Sequence, residues 1–204
     1  MHHYPIALLL LCLVLIPISA GAFDVSGLQP VSPYGIFSTF SAETLSAKKT
    51  AIEIKFEKSF DPDYYRSLAS LSYGIKDNLE ISATIPYVGD WNNSVSGFED
   101  YNIGIKHRLM DETRYGPALA YLLTLSIPSG RDEFSTDGSY GAGVLVTKKV
   151  GPFKGHLNII YSHPNKDGLK DEYKLNAGVD LAITHDSKLL AEISGKKIYF
   201  KKRI

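Results

Sequence analysis

The chain has 204 residues, of which 44% are hydrophobic and 22% charged, a composition typical of one ordinary folded domain. Its 22 basic and 22 acidic residues cancel, so it lacks the basic surplus that general nucleic-acid binders carry. The single cysteine excludes a disulfide framework and a cysteine-ligated metal site. We therefore expect no cofactor, no metal and no nucleic-acid partner.

The first 22 residues have the pattern of an export signal. Residues 1–22 contain no Asp, Glu, Lys or Arg, and a short apolar run leads into an A-x-A pattern at Ala20 and Ala22. This predicts a secretory signal peptide that is cleaved after Ala22. The alternative is an uncleaved anchor helix, but the run is shorter than the about 20 residues that a membrane span needs. Cys12 lies within the signal, so the mature chain has no cysteine, which fits export through a bacterial periplasm.

The next segment, residues 23–48, contains Pro30 and Pro33 and shows no regular alternation of polar and apolar residues. Proline removes a ladder hydrogen bond, so this segment is not a central strand. Two interpretations stay open. The segment either folds into a barrel lumen as a plug-like constriction or lies in the periplasm.

The stretch 49–195 is dominated by alternation with a period of two. Leu79–Tyr87, for example, places Leu, Ile, Ala, Ile and Tyr on one side and Glu, Ser and Thr on the other. Such alternation predicts strands rather than helices. We count about nine strand segments: Thr50–Lys58, Tyr64–Ile75, Leu79–Tyr87, Tyr101–Leu109, Leu119–Ile127, Tyr140–Lys149, Phe153–Tyr161, Tyr173–Ile183 and Ser187–Gly195.

Most of these segments have the length of a tilted strand that crosses a bilayer, which exceeds the length of the usual soluble strand. Short connections alternate along the chain with longer polar ones at 89–96, 129–139 and 163–169, as periplasmic turns and outer loops do. The predicted fold is therefore all-β: an antiparallel transmembrane β-barrel of about nine strands, incomplete relative to a 10–12-stranded barrel. A soluble periplasmic β-protein that binds lipid is the alternative fold, because alternation alone does not separate the two.

Two sets of residues support the barrel. Full charges recur on the polar side, where a wet lumen tolerates them. The predicted lumen-lining residues are Glu53, Lys55, Arg66, Glu80, Lys106, Arg108, Glu172, Lys174 and Asp180. Aromatic side chains fall on the apolar side near strand ends, at the depth of a membrane–water boundary. The predicted aromatic girdle is Tyr65, Tyr73, Tyr87, Tyr101, Tyr140, Phe153, Tyr161 and Tyr173.

Three sequence blocks resemble a known family. They are S-Y-G-I-K-D-N-L-E-I at 72–81, G-I-K-H-R-L at 104–109 after G-F-E-D at 97–100, and I-P-S-G at 127–130 followed by G-S-Y-G-A-G at 138–143. In this order and spacing, the chain resembles, over roughly residues 48 to 195, the outer-membrane channel-like proteins named for the meta-pathway of phenol degradation. The resemblance implies a barrel that passes hydrophobic or aromatic compounds across the outer membrane, and it brings no catalytic residues.

The end of the chain departs from a closed barrel. A single-chain antiparallel barrel normally has an even number of strands, whereas nine segments are counted and the basic tail 196–204 is unlike a closing strand. We expect a chain that lacks its closing strands. The alternative is that 35–41 forms a tenth strand and closes the barrel.

Catalytic use of the chain is not expected. His156, Asn158 and Ser162 share the polar side of one strand, whereas a lipase-like site would need them on the lipid-facing surface. The acidic loop residues Asp132, Glu133 and Asp137 are typical of a solvated loop, with a divalent-ion or lipopolysaccharide bridge as the alternative.

These observations predict an outer-membrane channel for the passive passage of small compounds, which the family resemblance implies are hydrophobic or aromatic. Its expected partners are outer-membrane lipid, lipopolysaccharide, the solute and the barrel-assembly machinery. A structural barrel without a pore is the competing function, since small barrels can be filled by side chains.

Overall fold

A computed structural model describes residues 39–60, 63–91, 95–182 and 188–198. Over these residues the chain is all-β and forms one antiparallel sheet that curls into a half-barrel. The predicted signal peptide 1–22 and most of the segment 23–48 lie outside the described residues, as do 199–204. Within the described ranges, no helix has both the length and the apolar character required to cross a membrane.

The described residues form ten strands. They are β1 (Thr50–Phe60), β2 (Asp63–Lys76), β3 (Leu79–Trp91), β4 (Val95–Phe98), β5 (Tyr101–Met110), β6 (Ala118–Ile127), β7 (Ser139–Val150), β8 (Phe153–Pro164), β9 (Glu172–Ala182) and β10 (Lys188–Ile198). The nine predicted segments correspond to the nine long strands, because each carries the alternation that identifies a strand.

Several predicted strands end earlier than the observed ones, with the largest differences at β3, β8 and β10. The expected loop at 89–96 is largely strand, because β3 continues to Trp91 and the short β4 pairs back onto it. Its four residues are too few for alternation to show, but Tyr87 and Phe98 hold the pair with ring centroids 5.2 Å apart. The strand β10 also extends to Ile198, past the predicted boundary at 195, because its last residues pair with β9.

The sheet follows the chain order β1-β2-β3-β5-β6-β7-β8-β9-β10, with β4 attached to β3 alone. Neighbouring strands are antiparallel throughout. Their register places apolar residues beside apolar ones and polar residues beside polar ones. Ile105, for example, lies between Ile81 and Leu123, and Lys106 lies beside Glu80. Because side chains alternate between the faces of a sheet, this register collects the apolar residues on one face and the polar residues on the other.

The connections lie at two rims. One, called here the turn rim, carries residues 77–78, 111–117 and 151–152; the other, the loop rim, carries β4 and residues 128–138 and 165–171. Among the described residues β1 and β10 each have one strand neighbour. Seven strands lie between them in the sheet, so β1 and β10 run in the same direction, and an antiparallel closure needs an odd number of further strands.

The alternative closure by 35–41 is tested only by its last residues. Thr39–Ser41 are described and do not belong to a strand, while 35–38 lie outside the described residues.

Burial is inverted relative to a water-soluble sheet. On the convex face Ile54 and Phe56 are 65% and 80% exposed, whereas Thr147 and Asn158 on the concave face are 0% exposed. The convex face is lined along its whole width by exposed apolar side chains, among them Ile52, Leu71, Ile81, Ile85, Ile105, Leu123, Leu125, Val144, Leu157, Ile159, Leu175, Val179 and Ile193. The concave face buries polar and charged ones.

A buried carboxylate organises the loop rim. Asp100, between β4 and β5, accepts hydrogen bonds from the main-chain N and Oγ1 of Thr136, both at 2.7 Å, from Ser135 Oγ at 2.7 Å and from Gly130 N at 3.1 Å. Burial by itself would raise the pKa of Asp100, but these hydrogen bonds outweigh burial and hold its pKa below the ordinary value. The carboxylate therefore fastens the connection 128–138 to the end of the sheet.

We expect Asp100→Asn to loosen this connection, because hydrogen bonds to a charged group contribute about 1.5–3 kcal/mol. Trypsin should then cut after Arg131, on the same connection, about ten-fold faster or more. Asp137→Asn, which changes an exposed acid of the same connection away from the cleaved bond, is the matched control and should leave cleavage unchanged. Equal cleavage of the two variants would contradict the anchoring role.

The lowered pKa of Asp100 also makes the stability of the loop rim depend on pH. The stability contributed by ionised Asp100 is present above about pH 4, its ordinary range, and is lost as the pH falls through the lower folded-state pKa. Protection factors for hydrogen exchange at 128–138, which correct for the intrinsic pH dependence of exchange, should therefore fall only below about pH 4.

Candidate functional site: the concave face and the segment that crosses it

All nine residues predicted to line a lumen lie on the concave face, as their register shows. Five are buried: Arg66, Glu80, Lys106, Glu172 and Lys174. The other four, Glu53, Lys55, Arg108 and Asp180, are half-buried.

Most of these charges have an opposite charge close by. Lys106 Nζ lies 3.3 Å from Glu80 Oε1, and Lys174 Nζ lies 3.0 Å from Glu172 Oε2. Each of these pairs is buried, where an isolated charge would be costly. Arg108 pairs with a residue outside the strands: its Nε lies 2.7 Å from Asp111 Oδ1 at the turn rim.

Two members of the charge network were missed in the sequence analysis. Arg66, which is 2% exposed, donates to Glu99 Oε2 at 2.5 Å and lies 3.9 Å from Glu57 Oε2. Glu57 continues the alternation of Glu53 and Lys55 on β1, so the sequence carried a signal for it. Glu99 stands in a connection, and only the fold brings it to Arg66.

The concave face is crossed by residues 39–47, called here the crossing segment. At its start Thr39 N donates to Glu192 Oε2 on β10 at 3.0 Å. Asn158 on β8 then brackets the main chain of Phe40: its Oδ1 accepts from Phe40 N, and its Nδ2 donates to Phe40 O at 2.8 Å. Part of the predicted 23–48 segment thus lies inside the half-barrel.

The segment continues across the sheet toward the turn rim. Ala42 N donates to Thr147 Oγ1 on β7 at 2.8 Å, and Leu45 N donates to Glu80 Oε2 on β3 at 2.9 Å. Ala47 N donates to Asp77 Oδ1 at 2.8 Å in the β2–β3 turn. The segment therefore spans most of the width of the sheet.

A small apolar core lies beneath the segment. Phe40 and Ala42 pack there against five concave-face residues, namely Ala118, Ala120, Leu122, Leu145 and Ile160. At this place the concave face is apolar rather than polar, because β6 is apolar on both faces over 118–122.

Two glycines allow the segment to approach the sheet. A Cβ at Gly74 would lie 2.2 Å from the main-chain oxygen of Ser46, so no larger residue fits there without displacing the segment. A Cβ at Gly178 would lie 3.2 Å from the side chain of Thr39. The sheet is thus shaped to receive this part of the chain.

The candidate catalytic group does not assemble. His156 Nδ1 lies 2.9 Å from Thr147 Oγ1, and its Nε2 lies 3.4 Å from Asp180 Oδ2. Asn158 is engaged with Phe40. Neither interaction joins His156 to Ser162, so the polar residues of β8 hold the segment and the neighbouring strands rather than forming a nucleophile–base pair.

The acidic loop residues stay apart as well. Glu133 pairs with Arg131 at 2.9 Å, and Asp132 and Asp137 are exposed. Within the described ranges, no group of three or more His, Cys, Asp or Glu residues is placed to hold a metal ion.

The eight aromatic residues of the predicted girdle lie on the convex face. Six of them, Tyr65, Tyr87, Tyr101, Tyr140, Tyr161 and Tyr173, fall near the loop rim, whereas Tyr73 and Phe153 fall near the turn rim. Neighbouring rings touch along the loop rim: Tyr161 and Tyr173 have centroids 5.0 Å apart, and the ring of Tyr140 lies 4.9 Å from that of His163.

A scan against protein-family models finds no family that matches this chain, and a search of curated proteins finds no match. The resemblance to the phenol meta-pathway channels therefore stays a prediction from the sequence blocks quoted above.

The buried pair of Glu80 and Lys106 gives a test of the concave network. Glu80→Gln keeps an oxygen for Leu45 N but removes the carboxylate that pairs with Lys106, and breaking a buried pair costs about 3–5 kcal/mol. We expect a lower midpoint in urea unfolding followed by tryptophan fluorescence. Glu80→Gln combined with Lys106→Met removes both charges and should recover most of the loss. If the double variant is no more stable than Glu80→Gln, the pairing is not the source of stability.

Proposed function

We propose that this chain forms an outer-membrane β-barrel channel through which small solutes, including hydrophobic or aromatic compounds, pass passively. The partners in this proposal are outer-membrane lipid and lipopolysaccharide on the outside, the solute inside, and the barrel-assembly machinery during insertion. The sheet edges β1 and β10 must be paired in the assembled channel, because unpaired main-chain groups in hydrocarbon cost several kcal/mol each.

The observation that carries the proposal is the inverted burial. Exposed aliphatic side chains cover the convex face from β1 to β10, far more than the few hundred Å² of contiguous apolar surface that a soluble monomer exposes. Hydrocarbon is the solvent that makes such a face favourable, and strands of 10 to 14 residues suffice to cross it. The aromatic rings near the loop rim suit the boundary between lipid and water. These features disfavour the soluble lipid-binding alternative.

The polar concave face supports passage of solute rather than catalysis. Its charges are balanced in pairs such as Lys106 with Glu80 and Lys174 with Glu172, so the face offers hydrogen bonds without a strong net field of one sign. A channel of this kind needs no energy source.

One observation favours the second candidate, a structural barrel without a pore. Thr147, Asn158 and Asn176 on the concave face are each 0% exposed, as in small barrels whose interior is filled by side chains. The two functions share the membrane location and differ only in permeability.

The membrane location is tested by charges on the convex face. Ile105 and Leu123 are paired neighbours near the middle of β5 and β6, and Lys at the bilayer midplane costs about 2–4 kcal/mol. We expect Ile105→Lys and Leu123→Lys to lower the fraction that folds into liposomes at a given urea concentration. Leu109→Lys, nearer the turn rim, should cost only about 0–1 kcal/mol. A wild-type yield for Ile105→Lys would contradict burial of the convex face in lipid.

Permeability is tested by liposome swelling. Liposomes that contain the full chain should swell in small solutes and resist larger ones, whereas a barrel without a pore leaves swelling at the level of empty liposomes. Extraction with carbonate, without detergent, would instead identify a soluble protein.

A further inference from the structure

We propose that the crossing segment, residues 39–47, forms the constriction of this channel and sets which solutes pass, with Phe40 as its anchor. The inference rests on the proposed channel function and names the part of the chain that controls the passage. It assigns selectivity to this segment rather than to the paired charges of the strands.

The segment occupies the space that a solute would use. It covers the concave face from Glu192 on β10 to Asp77 in the β2–β3 turn, at the half of the sheet nearer the turn rim. On the way it buries Thr147 and Asn158 completely. A path along the concave face must therefore pass the segment or displace it.

Its attachment differs from that of a strand. In the described part of the chain, the hydrogen bonds between residues 39–47 and the sheet each have a side chain as one partner, such as Asn158, Thr147 or Glu80. Neighbouring strands are joined instead by continuous main-chain ladders. The segment can thus leave the concave face without breaking the sheet, while a strand cannot.

The side chain of Phe40 supplies the apolar part of the attachment. It is 5% exposed and packs with the small core of Leu122, Leu145 and Ile160. A second contact ties the middle of the segment, where Lys154 Nζ lies 2.8 Å from Glu43 Oε2. Together these contacts fix the resting position of the constriction.

The test compares release variants with matched controls in the full chain, reconstituted in planar bilayers. Phe40→Ala removes the apolar anchor. Thr147→Val removes the hydroxyl that accepts from Ala42 N; the contact of that hydroxyl with His156 Nδ1 lies within the sheet, so it is lost whether the segment is bound or released. The controls make comparable changes elsewhere on the concave face. Leu68→Ala truncates another buried apolar residue, and Thr84→Val removes a hydroxyl that bonds to Ser70 Oγ at 2.9 Å.

Loss of one neutral hydrogen bond corresponds to about a five-fold larger population of the released state, so we expect Thr147→Val to raise the open fraction by about that factor. Phe40→Ala should raise it more, because truncating a buried aromatic side chain is costlier. Both variants should also admit larger solutes in liposome swelling, and both controls should match the wild type.

A second readout follows the segment itself. Ser41→Cys is nearly isosteric and places a thiol on the segment, and Cys12 in the predicted signal peptide is the chain's natural cysteine. A bulky hydrophilic maleimide should modify this thiol slowly in the otherwise wild-type chain. When Phe40→Ala or Thr147→Val is added, the rate of modification should rise by about the same factor as the open fraction.

The outcomes separate the two proposals. If the wild type conducts and the release variants conduct and select equally, the constriction is overturned while the channel stands. If labelling shows release but neither the wild type nor any variant conducts, the channel itself fails, and the constriction with it. Larger conductance together with faster labelling supports both.

Discussion

The structure depends on one constraint: each strand must expose its apolar side and bury its polar side. The alternation that makes Ile105 and Leu123 neighbours on the convex face also makes Lys106 and Glu80 neighbours on the concave face. A sheet arranged in this way cannot be stabilised by a conventional hydrophobic core, because its apolar side chains face outward. Its stability must come from main-chain ladders, from polar interactions inside and from the solvent that covers the convex face.

Burial of the polar side explains the contents of the half-barrel. Removing charged and amide groups from water is unfavourable unless they find partners. Ion pairs supply part of the compensation, as between Lys174 and Glu172, and the crossing segment supplies another part, since Asn158 and Thr147 bond to its main chain. The crossing segment therefore also stabilises the face around it, so the integrity of the concave network depends on the segment being in place.

The two rims hold different parts of the chain against the sheet. At the loop rim, buried Asp100 accepts hydrogen bonds from a long polar connection. This carboxylate holds the connection to the sheet together with main-chain bonds such as that from Arg131 N to Phe98 O. At the turn rim, Gly74 admits the backbone of Ser46 and so lets the crossing segment enter the half-barrel. The segment thus meets the sheet at the turn rim, whereas the long connection is fastened at the loop rim, and the solute path proposed here would be controlled near the turn rim.

Alternation is a local property, so the strands and their faces can be predicted from the sequence: the nine long strands and nine of the charges on the concave face followed from it. The sequence also contained a signal for Glu57, which shares that alternation. Contacts between residues that are distant in the sequence are seen only in the folded structure. The short β4, the meeting of Arg66 with Glu99, and the seating of Phe40 on a small apolar core join residues that no local period connects. The path of residues 39–47 belongs to this second group, since prolines and irregular composition indicate only that a segment is not a central strand, and its position is set by side chains more than 100 residues away, such as Asn158.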